Sequence, residues 1–159
     1  MQHSMIIRGG IIGVALATFL STSCGEARPP MSEGETSVAD AEIVTFTANM
    51  DASQEVPPND SKGKGTAELT YNPTSKELTW MITFDGLTGP VNAAHFHGPA
   101  EPGQNAGVAV PIGQSLTSPV TGNATLTDAQ AADFMAGRWY VNIHTAANKG
   151  GEIRGQVTK

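Results

Sequence analysis

The segment His95-Phe96-His97-Gly98-Pro99 carries the residue types in this chain best suited to chemistry. Of the other two histidines, His3 falls in an N-terminal apolar leader, and His144 lies in Tyr140-Val141-Asn142-Ile143-His144-Thr145. Side chains alternate between the faces of a β-strand, so His95 and His97 point one way and Phe96 the other. Two imidazoles on one face can share a cation, and a third from a neighbouring strand completes a three-nitrogen site. Such a site suits copper or zinc, with copper first because it binds most tightly among the first-row divalent ions. It leaves a position for water or a fourth side chain. Glu152, Asn142 and Glu55 are the candidates for that position, or for orienting the imidazoles.

The same histidines also read as structural residues that hydrogen-bond backbone or each other and fix strand ends. Glu55 sits in Gln54-Glu55-Val56-Pro57-Pro58, where paired prolines mark a loop and argue for a structural role. Glu152 and Arg154 stand one strand step apart, opposite Ile153; they are expected to pair with other charges of the final hairpin, the alternatives being that they shape a ligand surface or, if buried, form an Arg–Glu pair that locks the loop at His144. An exposed pair of that kind is worth only ~0–1 kcal/mol. Met50, Met81 and Met135 are dispersed and read as core fillers. No Ser-His-Asp arrangement, phosphate-binding glycine loop or spaced carboxylate pair stands out.

The elements that must position these residues are strands and turns. Ile43 to Met50 is rich in β-formers. Ala67, Leu69 and Tyr71 alternate with Thr66, Glu68 and Thr70, and Leu78, Trp80, Ile82 and Phe84 form the cleanest period-two apolar face. The turn Asn72-Pro73-Thr74-Ser75 joins these two runs into a hairpin. Val91–His97, Val108–Val110 and Val120–Leu126 read as further strands, and the polar stretch Ala100 to Gly107 as a mobile loop. Thr127 and Gln130 have capping-box spacing for a short helix that Gly137 would end. In the strand Arg138 to Thr145, Trp139, Val141 and Ile143 share one face and Tyr140, Asn142 and His144 the other; Glu152 to Thr158 closes a last hairpin. About eight strands with one short helix predict an all-β fold, an antiparallel, Greek-key-like β-sandwich spanning residues 43–159. Trp80, Trp139, Phe84 and Phe46 are its expected core.

The N-terminus reads as an export signal over residues 1–23, with Arg8 ahead of the apolar run Ile11 to Leu20. That run is about half of the ~20 residues a transmembrane helix needs. Cys24 is the only cysteine, so the chain can form no internal disulfide. Ser21-Thr22-Ser23-Cys24 resembles the lipobox of bacterial lipoproteins, although Leu20 stands one place further from the cysteine than in the usual pattern. The resemblance implies lipidation of Cys24 and a membrane anchor, facing the periplasm or the cell surface. Residues 24–42 are Gly, Pro, Ser, Glu and Ala with almost no large apolar side chain, the composition of a flexible tether. Without the leader the chain carries 8 basic and 15 acidic residues, a net charge of −7. That balance argues against nucleic acid as a partner, since phosphate needs clustered Lys and Arg.

Four motifs in order resemble the CHRD domain, the repeat first named from chordin and also found in bacterial secreted proteins. They are Phe46-Thr47-Ala48 with Gln54-Glu55-Val56-Pro57-Pro58, then Ala94-His95-Phe96-His97-Gly98-Pro99-Ala100, then Gly137 to Thr145, and finally Gly150-Gly151-Glu152-Ile153-Arg154-Gly155-Gln156. The resemblance implies an extracytoplasmic β-sandwich module and no particular reaction. The His-x-His strand is also similar to part of the copper site of copper/zinc superoxide dismutases, but the further histidines and the disulfide of those enzymes are missing here. Three functional readings stand side by side. The first is an anchored module that captures, stores or delivers copper or zinc. The second is a structural or adhesive surface domain binding a protein or a polysaccharide. The third is a mononuclear copper redox enzyme.

Overall fold

The structure is a computed structural model and describes residues 42–113 and 115–159. The expected leader 1–23, lipidation at Cys24 and the tether 24–42 lie outside the described residues, Glu42 excepted.

The alternating segments form eight strands: β1 (Val44–Asp51), β2 (Lys64–Asn72), β3 (Glu77–Asp85), β4 (Val91–His97), β5 (Val108–Pro111), β6 (Val120–Thr125), β7 (Tyr140–Thr145) and β8 (Ile153–Gln156). The helix α1 (Asp128–Met135) lies between β6 and β7. Its N-terminus closes as the spacing predicts: Thr127 Oγ1 accepts from the Gln130 N–H, and Gln130 Oε1 accepts from the Thr127 N–H. Gly137, at φ +73°, supplies the left-handed residue beyond its end.

All strand pairs are antiparallel and join one sheet in the order β5-β4-β7-β8-β1-β2-β3-β6. The sheet rolls upon itself. Trp80 of β3 meets Phe96 of β4 edge-on at 5.1 Å between ring centres, although four strands separate them in the sheet. The two halves thus face each other as the layers of the expected all-β sandwich, and the continuous roll makes it nearly a barrel. Chain neighbours β3 and β4 do not pair, nor do β5 and β6; these connections carry the chain from one half to the other. Phe134 of α1 is fully buried and packs against Phe46, Tyr71 and Trp139.

The pairing of β4 with β7 positions the histidines. Ala93 faces His144, His95 faces Asn142, and His97 faces Tyr140. Ala94 and Phe96 point into the core with Val141 and Ile143. By alternation, the histidines, Tyr140 and Asn142 occupy the outer face of the sheet. That face is nevertheless shielded: Tyr140 is 2 % exposed, Asn142 4 % and His144 8 %.

Loops provide the shielding. The loop Ala100 to Gly107, mobile by composition, is fastened at both its start and its end. The Ala100 N–H donates to the Arg138 carbonyl, Asn105 Nδ2 to the Val56 carbonyl, and Arg154 Nη2 to the Gln104 carbonyl. Several of its backbone groups and the Asn105 side chain bond to protein where composition alone predicts water.

Because Phe96 lies between Trp80 and Trp139 and opposite the two strand histidines, Phe96→Ala should destabilise the fold by about 3–5 kcal/mol. Urea unfolding measures this, and a loss under ~1 kcal/mol would contradict the packing described.

Candidate metal centre

The structure brings His95, His97 and His144 together. One ring nitrogen from each lies within 4.8 Å of the others. Two of the three rings are oriented by backbone carbonyls. His97 Nδ1 lies 3.0 Å from the Ala106 carbonyl, and His144 Nδ1 lies 3.1 Å from the Lys149 carbonyl. A carbonyl only accepts, so both rings carry their proton on Nδ1 and present a bare Nε2. His97 Nε2 is buried and has no hydrogen-bond partner. His144 Nε2 lies 3.3 Å from His95 Nδ1 and, with the His144 proton on Nδ1, accepts from it.

This geometry fits a small cation. With metal–nitrogen bonds of about 2.0–2.1 Å, tetrahedral ligands stand about 3.3–3.4 Å apart. The His95–His144 pair already has that spacing at 3.3 Å. The widest separation in the group, 4.8 Å, closes by ring movements of about 1 Å or a little more. Burial pushes all three imidazoles below the usual histidine value. Each is therefore neutral at pH 7, the form in which imidazole ligates.

The other candidates stand apart from this cluster. Asn142 faces His95 across the strands, but its Nδ2 donates to Glu55 Oε2 at 3.1 Å. Gly151 covers this pair at φ +137°, and a Cβ there would lie 2.6 Å from both the Asn142 amide and Glu55 Oε1. Burial pushes Glu55 up to about 7; the Asn142 hydrogen bond and the Arg154 charge oppose the shift without cancelling it.

Glu152 is 0 % exposed and sits in the bend just before β8. Its carboxylate accepts from Ser61 Oγ at 2.6 Å, the Thr88 N–H at 2.7 Å, Thr88 Oγ1 at 2.8 Å and Thr145 Oγ1 at 2.5 Å. Burial raises its pKa, but these hydrogen bonds outweigh burial and take it down to about 2. Glu152 thereby ties the start of β8 to the residue after His144.

The expected pairing of Glu152 and Arg154 with other charges is not found. Ion pairs among the described residues join Lys64 to Asp51, Lys76 to Asp128 and Arg138 to Asp133. Glu152 and Arg154 are buried; hydroxyls and a backbone N–H hold Glu152, and carbonyl oxygens hold Arg154 with a more distant contribution from Glu55. Arg154 lies over the Tyr140 ring, 3.4 Å from its centre, and Tyr140 stacks on His97 at 4.9 Å with the rings 5° from parallel.

Sequence reasoning placed Tyr140 on the face of His144 but gave it no part in the site. Alternation was the signal that could have found it. The carbonyls of Ala106 and Lys149 have no side-chain signature.

A family model described as the CHRD domain matches residues 46–157. The chain belongs to the CHRD family. The matched span begins in β1, ends just beyond β8 and contains all three histidines. No curated protein and no solved structure matches the chain at a significant level.

Glu55 gives this CHRD domain a pH dependence of definite sign. Its folded pKa, about 7, lies above its ordinary value of 4.5. Its contribution to stability is full below 4.5 and is lost as pH rises through about 7. The lowered histidines act in the opposite direction, so the difference between wild type and Glu55→Gln isolates the carboxyl group. Chemical denaturation at pH 5 and pH 8 should show wild type losing stability relative to Glu55→Gln at the higher pH. An unchanged difference would refute a carboxyl kept neutral by burial.

Proposed function

We propose that this CHRD domain is a transition-metal-binding module that holds copper or zinc through His95, His97 and His144. The observation that carries the reading is the buried Nε2 of His97. A buried nitrogen acceptor without a donor is costly, and a cation shared with the other two rings would satisfy it. The carbonyls that hold Nδ1 of His97 and His144 act as the outer partners typical of metal-ligating histidines. Three neutral nitrogens leave one position open, which suits capture, storage or delivery of an ion. The sequence at residues 1–24 supports an exported protein anchored to a membrane by lipid on Cys24, where environmental copper and zinc would reach it.

Calorimetric titration of the metal-free protein with Cu(II) and Zn(II) tests the site. The expected result is one ion per chain, bound more tightly than ~10 μM, with a loss of at least about tenfold in each of His97→Ala and His144→Ala. Affinity should fall with acidification, as protons compete for the imidazoles. Binding weaker than ~10 μM, or binding unaffected by both substitutions, would reduce the histidines to a structural role. Mass spectrometry of the mature protein tests the anchor: a diacyl or triacyl Cys24 is expected at its N-terminus, and an unmodified N-terminus beyond Cys24 would exclude it.

A further inference from the structure

Arg154 is 2 % exposed and belongs to none of the ion pairs among the described residues. A buried cation with no carboxylate at ion-pair distance is costly, even with the more distant Glu55 charge acting on it, so its contacts are informative. They converge on one imidazole. Strand β7 lies between β4 and β8, so His97 reaches Tyr140 from one side and Arg154 reaches it from the other. The edge of the guanidinium holds the adjoining loop: Nη2 donates to the Gln104 carbonyl at 2.6 Å, and Nη1 donates to Asn105 Oδ1 at 3.1 Å. The next residue in that loop is Ala106. Its N–H donates to the Tyr140 hydroxyl at 3.1 Å, and its carbonyl accepts from His97 Nδ1 at 3.0 Å. Arg154 therefore touches one support of His97, the stacked ring, directly, and reaches the other, the Ala106 carbonyl, through Gln104 and Asn105.

We propose that Arg154 is the positioning residue of the three-histidine site. Acting through Tyr140 and the Gln104–Ala106 turn, it keeps the His97 proton on Nδ1 and Nε2 directed at His95 and His144. The proposal rests on reading those histidines as a metal centre. Arginine suits the task because its plane can stack on a ring while its edge donates in two directions. A lysine ammonium has no flat face and no fork. Arg154 touches no ligand atom, and its effect on a bound ion is indirect.

Two readouts separate this role from general support of the fold. The first uses metal-free protein. ¹⁵N NMR of the imidazoles should show His97 protonated on Nδ1 in wild type. In Arg154→Met and Arg154→Lys, each shown to be folded by circular dichroism, the His97 proton should redistribute toward Nε2. His144, held by Lys149, should keep its signals. The second is a double-mutant cycle with Zn(II). Arg154→Met should weaken binding about 10–100-fold in the wild-type background and less than about twofold in a His97→Ala background.

Unchanged His97 signals in both Arg154 variants would overturn the proposal. So would an equal loss of affinity with and without His97, the mark of a generally loosened sheet. If wild type took up neither Zn(II) nor Cu(II), the metal-centre reading would fail, and the imidazole signals would still decide whether Arg154 holds His97.

Discussion

The register of β4 on β7 is the constraint on which the site depends. Pairing Ala93 with His144, His95 with Asn142 and His97 with Tyr140 places three imidazoles from two strands on one face. Because side chains alternate with a period of two, a slip of one residue would turn the histidines of the slipped strand into the core and Phe96 or Val141 out of it. The core prevents this. Phe96, Val141, Ile143 and Trp139 are all within 1 % of complete burial. Gly98, directly after His97, lies so close to Trp139 that a Cβ there would collide with the indole. The same contacts that stabilise the rolled sheet thus fix which nitrogens meet on its outside.

An outer sheet face normally meets water, and this one is covered by loops. The cover gives the polar groups beneath it their properties. Neutral imidazoles, a Glu55 carboxyl raised by burial, a Glu152 carboxylate wrapped in donors and an Arg154 guanidinium stacked on a ring lie along the β4, β7 and β8 region. Glu152 and Arg154, only two residues apart, do not neutralise each other. Each organises a different loop: Glu152 ties the β8 entry to Ser61, Thr88 and Thr145, and Arg154 ties the 104–106 turn to Tyr140. The 104–106 turn carries the carbonyl beside His97, and Thr145 directly follows His144. The charged residues of the last hairpin thereby support the site without ligating within it.

Much of the fold was legible in the sequence because its signals are local. The period-two runs at Leu78–Phe84 and Trp139–Ile143 gave the strands and their inward faces, and Thr127 with Gln130 gave the helix start. The outward placement of His95 and His97 followed from the same alternation. That β4 and β7 are neighbours did not follow, because 42 residues separate His97 from Tyr140 and the sheet order is set by packing across the whole chain. Arg154 and Glu152 were expected in charge pairs, which the structure does not form, because charge alone favours an exposed pair or a mutual one. Only the tertiary arrangement shows the dipoles that allow them to be buried. The fastened 100–107 loop was missed for a related reason. Its partners are backbone carbonyls and a buried guanidinium, and neither is marked in the loop's own composition.

X-ray absorption at the metal edge of the copper- or zinc-loaded protein tests the central claim most directly. The account predicts three nitrogen scatterers at about 2.0–2.1 Å with the outer-shell pattern of imidazole, falling to two in His97→Ala. A first shell of oxygen alone, or an imidazole count that His97→Ala leaves unchanged, would contradict it.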